Sequence, residues 1–183
     1  FGIYNIGSSR PWYVYGNVVH DPGTSSSSFF WPGSDSGTSP QGPVYLYNNT
    51  FIGVPITTGQ GRSGPFASAS QARNNIYWSS SLSGNSSISD SDYNFSNGST
   101  GGAHSISSGG NPFVNSSGKD FNIISTIAAN LPRNKGVALS AVSSQSFGTD
   151  FEGNSRGGDG AWDMGAYEYG AGVVTTNPVI AVN

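Results

Sequence analysis

The chain has no cysteine, a single methionine and little charge: Asp, Glu, Lys and Arg together make up 9% of its 183 residues. Without cysteine, disulfides and thiolate metal sites are excluded, so stability must come from packing and hydrogen bonding. Seven Lys and Arg against ten Asp and Glu give a formal net charge of -3. That leaves no basic patch to neutralise phosphates, which argues against nucleic-acid binding, and it disfavours acidic polysaccharides for the same reason. No stretch has the apolar length of a membrane helix, and no charged start followed by an apolar run marks a signal peptide, so membrane insertion is not expected.

What is abundant is serine and glycine, together about a third of the chain, while hydrophobic residues make up 34% and aromatics 13%. Disordered segments are rich in charge and poor in rings, so this balance argues for a folded domain. Long polar turns on a narrow apolar column would produce it, and stacked solenoids have that anatomy.

Short β-rich runs recur. Gly2 to Ile6 and Trp12 to Val19 come first, then Val44 to Ile52 and Ala72 to Trp78, with a shorter unit at Ile88 to Phe95. Aligning Asn17, Asn49 and Asn75 puts Val18-Val19, Thr50-Phe51 and Ile76-Tyr77 after them, with Tyr15, Tyr47 and Arg73 two places before. The offsets, 49 − 17 = 32 and 75 − 49 = 26, fall in the solenoid range of about 20 to 45 residues. Unequal offsets are natural where strands hold register and one turn lengthens freely, here into 21–42 and 54–70. An asparagine side chain both donates and accepts, so it can bond its copy in the next coil, about 4.8 Å away. Beyond these units, 97–110 reads as a loop with one strand at His104 to Ile106. Ser125 to Asn130 is the one stretch that could form a helical turn, stopped by Pro132.

The stretch 150–169 holds five of the ten acidic residues, one arginine, five glycines and four aromatics. Its glycines permit positive φ or close backbone approach, and its rings can be buried only against something already folded. Arg156 is its single cation, placed to neutralise Asp150, Asp163 or Glu168 in a structural ion pair.

The run Asp150-x-x-Gly153-x-x-Arg156, followed by Asp163-Met164-Gly165-Ala166-Tyr167-Glu168-Tyr169, resembles the signature that ends many secreted bacterial right-handed parallel β-helix proteins. That terminal region is often called a choice-of-anchor domain. Asn111 to Asn115, Asp120 to Ile123 and the residues around Lys135-Gly136 stand upstream in the order the family has. The resemblance implies an all-β fold, a right-handed parallel β-helix of about five or six coils over 1–149, with an asparagine ladder at a strand-to-strand corner. It further implies a C-terminal cap at 150–170 and an extended tail or linker at 171–183. It speaks for the scaffold and not for a reaction.

Candidates for chemistry are scattered. Uronate lyase chemistry needs a cation, a base and an acid, and His20, His104, Lys119, Arg62 and Arg73 are the available groups. They do not cluster in sequence. Asp90-x-Asp92 is a turn-capping pair by its spacing, with a calcium site as the alternative. No other metal or cofactor motif occurs, and there is no phosphate loop, His-x-x-x-His pair or Gly-x-Ser-x-Gly elbow. Alternation puts Trp12 and Val14 on one face of their strand and Tyr13 and Tyr15 on the other, so one pair points outward. Trp12, Tyr13, Tyr15 and Trp31 are therefore candidate sugar-stacking residues, unless the 21–42 loop folds over them. Five Asn-x-Ser/Thr sequons, at Asn48, Asn85, Asn94, Asn97 and Asn115, are what an Asn- and Ser-rich chain generates by chance.

The expectation is an extracellular or cell-surface solenoid acting as scaffold, adhesin or fibre subunit without catalysis of its own. The alternatives are the C-terminal fragment of a polysaccharide lyase or hydrolase, or a carbohydrate-binding module. An uncapped N-terminal edge at Phe1 would be covered by preceding coils or by self-association.

Overall fold

The computed structural model describes residues 11–20, 43–54, 56–58, 69–80, 82–84, 88, 90–140 and 146–170. Within them the chain is all-β, without helix. Its strands in order are β1 (Trp12–Tyr15), β2 (Val18–His20), β3 (Val44–Tyr47), β4 (Thr50–Ile52), β5 (Ile56–Thr58), β6 (Gln71–Arg73) and β7 (Ile76–Trp78). They continue as β8 (Leu82–Gly84), β9 (Asp90–Asp92), β10 (Phe95–Ser96), β11 (Ile106–Ser107), β12 (Phe113–Asn115) and β13 (Asp120–Ile123).

Chain neighbours join different sheets. The first sheet has the order β1-β3-β6-β9, the second β11-β10-β7-β4-β2, and β5 pairs with β8; every pairing in these three is parallel. This recurrence is compatible with a β-solenoid. It ends after β11, because β12 and β13 pair antiparallel as a hairpin. The residues 125–130 are irregular and end in a turn at 129–130, with Leu131 N–H donating to Ala128 O, and no helix starts there. The segments 1–10, 21–42 and 171–183 lie outside the described residues, so the expected strand at Gly2 to Ile6, Trp31 and the C-terminal tail do too.

The β-rich runs are each broken by a left-handed residue. Gly16, Asn48, Asn74 and Tyr93 have φ of 65°, 54°, 56° and 54°, and each joins a first-sheet strand to a second-sheet strand. Gly and Asn adopt this conformation at little cost, whereas Tyr93 does so against its Cβ. The next residue at every corner is an asparagine. Asn17, Asn49, Asn75 and Asn94 form a continuous ladder in which Oδ1 of one rung accepts both the main-chain N–H and the Nδ2 of the rung before it. These bonds span 2.9–3.1 Å. Each Nδ2 also donates to a strand carbonyl, Asn49 to Val14 O, Asn75 to Leu46 O and Asn94 to Ala72 O. The ladder ends where Asn94 N–H meets Ser105 Oγ at 3.0 Å.

The two main sheets enclose one apolar cluster, built from Val14, Leu46 and Ala72 of the first sheet and Phe51 and Tyr77 of the second. The outward side of the second sheet is buried as well. There Ile76 and Phe95 pack with Phe113, Phe121 and Ile123 of the hairpin and with Met164. Burial on both faces explains why β7 reads as the continuous apolar run Ile76-Tyr77-Trp78 rather than an alternating one.

Asn75 uses every hydrogen-bonding capacity of its amide, so Asn75→Ala leaves donors and acceptors of three neighbours unmatched in the interior. It should lower the free energy of unfolding by about 3 kcal/mol, measured by chemical denaturation, and clearly more than Asn17→Ala at the exposed end of the ladder. In the same cluster the buried Tyr77 hydroxyl has no hydrogen-bond partner among the described residues. Tyr77→Phe should therefore raise stability by about 1 kcal/mol in the same measurement.

Candidate functional site

Two constellations stand out: a buried polar knot in 146–170 and the outward face of the first sheet. The knot closes the second apolar cluster. Gly165 sits at φ 103° with its N–H on Asn74 O at 2.6 Å, and a Cβ there would lie 2.7 Å from Ile76 Cδ1. Only glycine lets the backbone come this close to the second sheet. Ala166 N–H donates to Thr50 Oγ1, and Val137 exchanges two hydrogen bonds with the side chain of Asn74.

Arg156 is buried at the centre of the knot. Its guanidinium donates to the carbonyls of Gly165 and Ala166 at 3.0 and 2.9 Å, to Thr149 O at 3.3 Å and to Glu168 Oε2 at 3.4 Å. Asp163 meets it through its main-chain oxygen, at 3.5 Å. Asp150 bonds elsewhere, with one carboxylate oxygen accepting from Glu152 and Asn154 N–H and the other from Asn154 Nδ2 and Glu168 N–H. The structure thus selects Glu168 as the ionic partner of Arg156 and makes Asp150 a turn-former.

Carboxylate oxygens of Asp159, Asp163 and Glu168 lie within 4.8 Å of one another, the spacing of a cation site. The chain's own donors occupy those oxygens. Asp163 accepts from Asn134 and Tyr169 N–H, Glu168 from Gly157 and Asp163 N–H, and Asp159 pairs with Arg133. The set is chemically a structural knot. Burial pushes the Glu168 carboxyl up to about 7 and Asp163 to about 6, each opposed by the N–H donors around it.

On the first sheet, Trp12 and Val14 turn inward to the core, so Tyr13 and Tyr15 form the outward pair. Register extends this into two columns, Tyr13-Tyr45-Gln71-Asp90 and Tyr15-Tyr47-Arg73-Asp92. Tyr13 and Tyr45 stack with centroids 4.9 Å apart and planes 13° off parallel. Phe147 lies over the second column, edge-on to Tyr15 at 5.0 Å and to Tyr47 at 5.1 Å. Coverage thus comes from the start of the C-terminal segment that forms the knot, which no periodicity in the strands could have indicated.

The polar ends of these columns are tied together. Tyr47 O–H donates to Gln71 Oε1, Gln71 Nε2 to Asp90 Oδ2 at 2.8 Å, and Arg73 both to the Asp90 carboxylate and, at 2.8 Å, to its carbonyl. Burial, with Tyr45 beside it, pushes the Tyr47 hydroxyl up to about 12, so it remains a neutral donor. Next to this network Asp92 accepts from His104 N–H and holds His104 Nδ1, both at 2.7 Å. Burial alone would raise Asp92, but the His104 side-chain and main-chain bonds and the Tyr93 N–H outweigh it and hold the carboxyl below its usual range.

Of the residues singled out as possible bases or neutralisers, the fold brings Arg73 and His104 to this face, with Asp90 and Asp92. His20 lies elsewhere, 5.2 Å from the Phe121 ring, and Lys119 sits in the turn between β12 and β13. Arg62 lies outside the described residues. Tyr45, Gln71 and Phe147 carry no signal of their own in the sequence. The register of the asparagine ladder, extended to neighbouring positions, would have found the first two.

A carboxyl whose pKa is higher folded than unfolded binds more protons in the folded state, so stability falls as pH rises between the two values. For Glu168 and Asp163 that interval runs from about 4 to about 7. Unfolding free energies measured across it should decline with pH, and Glu168→Gln, though less stable overall, should give a flatter dependence. Comparison with family models, curated proteins and solved structures returns no match for this chain.

Proposed function

We propose that the chain is a right-handed parallel β-helix of about five or six coils, capped by 150–170, from a secreted bacterial surface protein of the choice-of-anchor kind. It serves outside the cell as a structural scaffold, adhesin or fibre subunit, without catalysis of its own. The observation that carries this reading is that, among the described residues, the ladder has no rung beyond Asn17. Among the described residues Asn17 is exposed, its Oδ1 accepts no hydrogen bond, and β1 and β2 stand at the ends of their sheets.

An in-register edge of this kind is a template for another coil, whose asparagine would donate to Asn17 as Asn17 donates to Asn49. In a fibre that coil is supplied by a second copy of the chain. A second copy would make a head-to-tail contact that does not close and therefore grows a filament. The low charge of the chain puts little repulsion in the way.

Electron microscopy of the purified chain tests this directly. Ordered fibres are expected, and Asn17→Lys should abolish them while leaving the cooperative unfolding transition in place. Monodisperse monomers at all accessible concentrations would overturn the fibre-subunit reading.

A further inference from the structure

The coils shorten toward one end of the stack. Successive rungs of the ladder lie 32, 26 and 19 residues apart, and the last step, from Asn94 to Ser105, takes only 11. Ser105 stands where a fifth asparagine would: its Oγ accepts Asn94 N–H at 3.0 Å, as an Oδ1 does at each rung before. Ile106 and Ser107 follow in register beside Phe95 and Ser96, where every earlier coil has its second-sheet strand. A serine has no amide to donate back into the stack, and β11 is two residues long. This last coil is a reduced copy of the others.

The first sheet has no matching strand. Among the described residues β9 is the last of its sheet, and 101–104 lie against it instead. Gly102, at φ 101°, sits so close that a Cβ would collide with Ser91 O and lie 2.7 Å from Asp92 Cα. His104 fastens the contact. Its main-chain N–H donates to Asp92 Oδ1 and its Nδ1 meets Oδ2, both at 2.7 Å, while its ring stacks on Tyr93 at 4.5 Å and 9°. The cover is thin: residues 101–104 are largely exposed, the His104 side chain by 59%, and the Asp92 carboxylate holds them.

The surface that fits this end is the opposite end of the same stack. Continuing the columns past β9 places Tyr13, Val14 and Tyr15 of a second copy beside Asp90, Ser91 and Asp92. Asn17 then falls where Ser105 lies, and Val18 where Ile106 lies; both of these apolar side chains pack on the same cluster. Asn17 Oδ1 would accept the Asn94 N–H that Ser105 now takes. Its Nδ2 would reach Ser91 O, which Gly102 now covers, as Asn49 Nδ2 reaches Val14 O.

We infer that residues 101–107 are an autoinhibitory segment occupying the docking position of residues 12–19 of a second copy, with the Asp92-His104 contact as its latch. The inference rests on the fibre-subunit reading and adds to it the control of growth. Only molecules with 101–107 displaced accept a second copy, so loosening the latch raises apparent affinity in proportion to that fraction.

A labelled synthetic peptide of residues 11–20 probes the position without requiring fibres, and electron microscopy follows growth. The full-length wild type is compared with His104→Ala, which removes the latch from an exposed position, and with Gly102→Ala, whose Cβ has no room over Ser91 O. By fluorescence anisotropy His104→Ala should bind the peptide about tenfold more tightly than wild type, and its fibres should appear after a shorter lag. The same peptide carrying Asn17→Ala should lose that gain. Phe151→Ala, which removes an exposed ring packed on Tyr167, should bind the peptide as wild type does. Should Gly102→Ala fail to fold, His104→Ala decides alone. Equal peptide binding by wild type and His104→Ala, or a gain reproduced by Phe151→Ala or by the Asn17→Ala peptide, would overturn the inference even if fibres form. A gain in peptide binding with no fibres from any variant would uphold the covered docking position and count against the fibre-subunit reading alone.

Discussion

The asparagine ladder is the constraint on which the rest of the structure depends. A neutral primary amide carries two donors and two acceptor sites, and in Asn49 and Asn75 both donors are used and the oxygen takes two hydrogen bonds. Buried amides with that many partners cannot slip by one residue without losing several hydrogen bonds at once. Register is therefore set at the corner, and the strands on either side follow. The first sheet places Val14, Leu46 and Ala72 in one inward line, and the same register places Tyr13 and Tyr45 in one outward line.

The second sheet adds a requirement that the ladder cannot meet. With apolar side chains on both faces, it needs a cover, and the hairpin β12-β13 and the segment around Met164 supply it. Bringing backbone that close leaves carbonyls and N–H groups in the interior, and a buried polar group without a partner is costly. Arg156, Asp150, Asp163 and Glu168 resolve this by bonding mostly to main chain rather than to one another. The knot is thus a device for satisfying a turn-rich backbone, with charge used where neutral donors are too few. Two of the sequons are closed off by the fold, since Asn94 is buried in the ladder and Asn48 beside Asn74.

These two demands leave the faces of the molecule unequal. One side of the stack is sealed by the C-terminal segment. The outward face of the first sheet is only partly roofed, by Phe147, and its remaining side chains are ordered by mutual contacts while still open to solvent.

Much of this was legible in the residues. Repeated Asn followed by a pair of β-formers located Asn17, Asn49 and Asn75, and period-two alternation placed Tyr13 and Tyr15 opposite Trp12 and Val14. The fourth rung, Asn94, escaped the alignment because its unit is only 19 residues after Asn75 and its left-handed position is filled by Tyr93 instead of Gly or Asn. What no spacing revealed are contacts between residues far apart in the chain: Phe147 on Tyr15 and Tyr47, Gly165 against Ile76, His104 on Asp92, and the choice of Glu168 over Asp150 for Arg156. Local pattern by itself determined which residues turn, which extend and which face they present, because those follow from backbone sterics and the two-residue pleat. Only the tertiary structure decided which faces are covered and which charges meet, because burial and pairing depend on what the rest of the chain brings within a few ångströms.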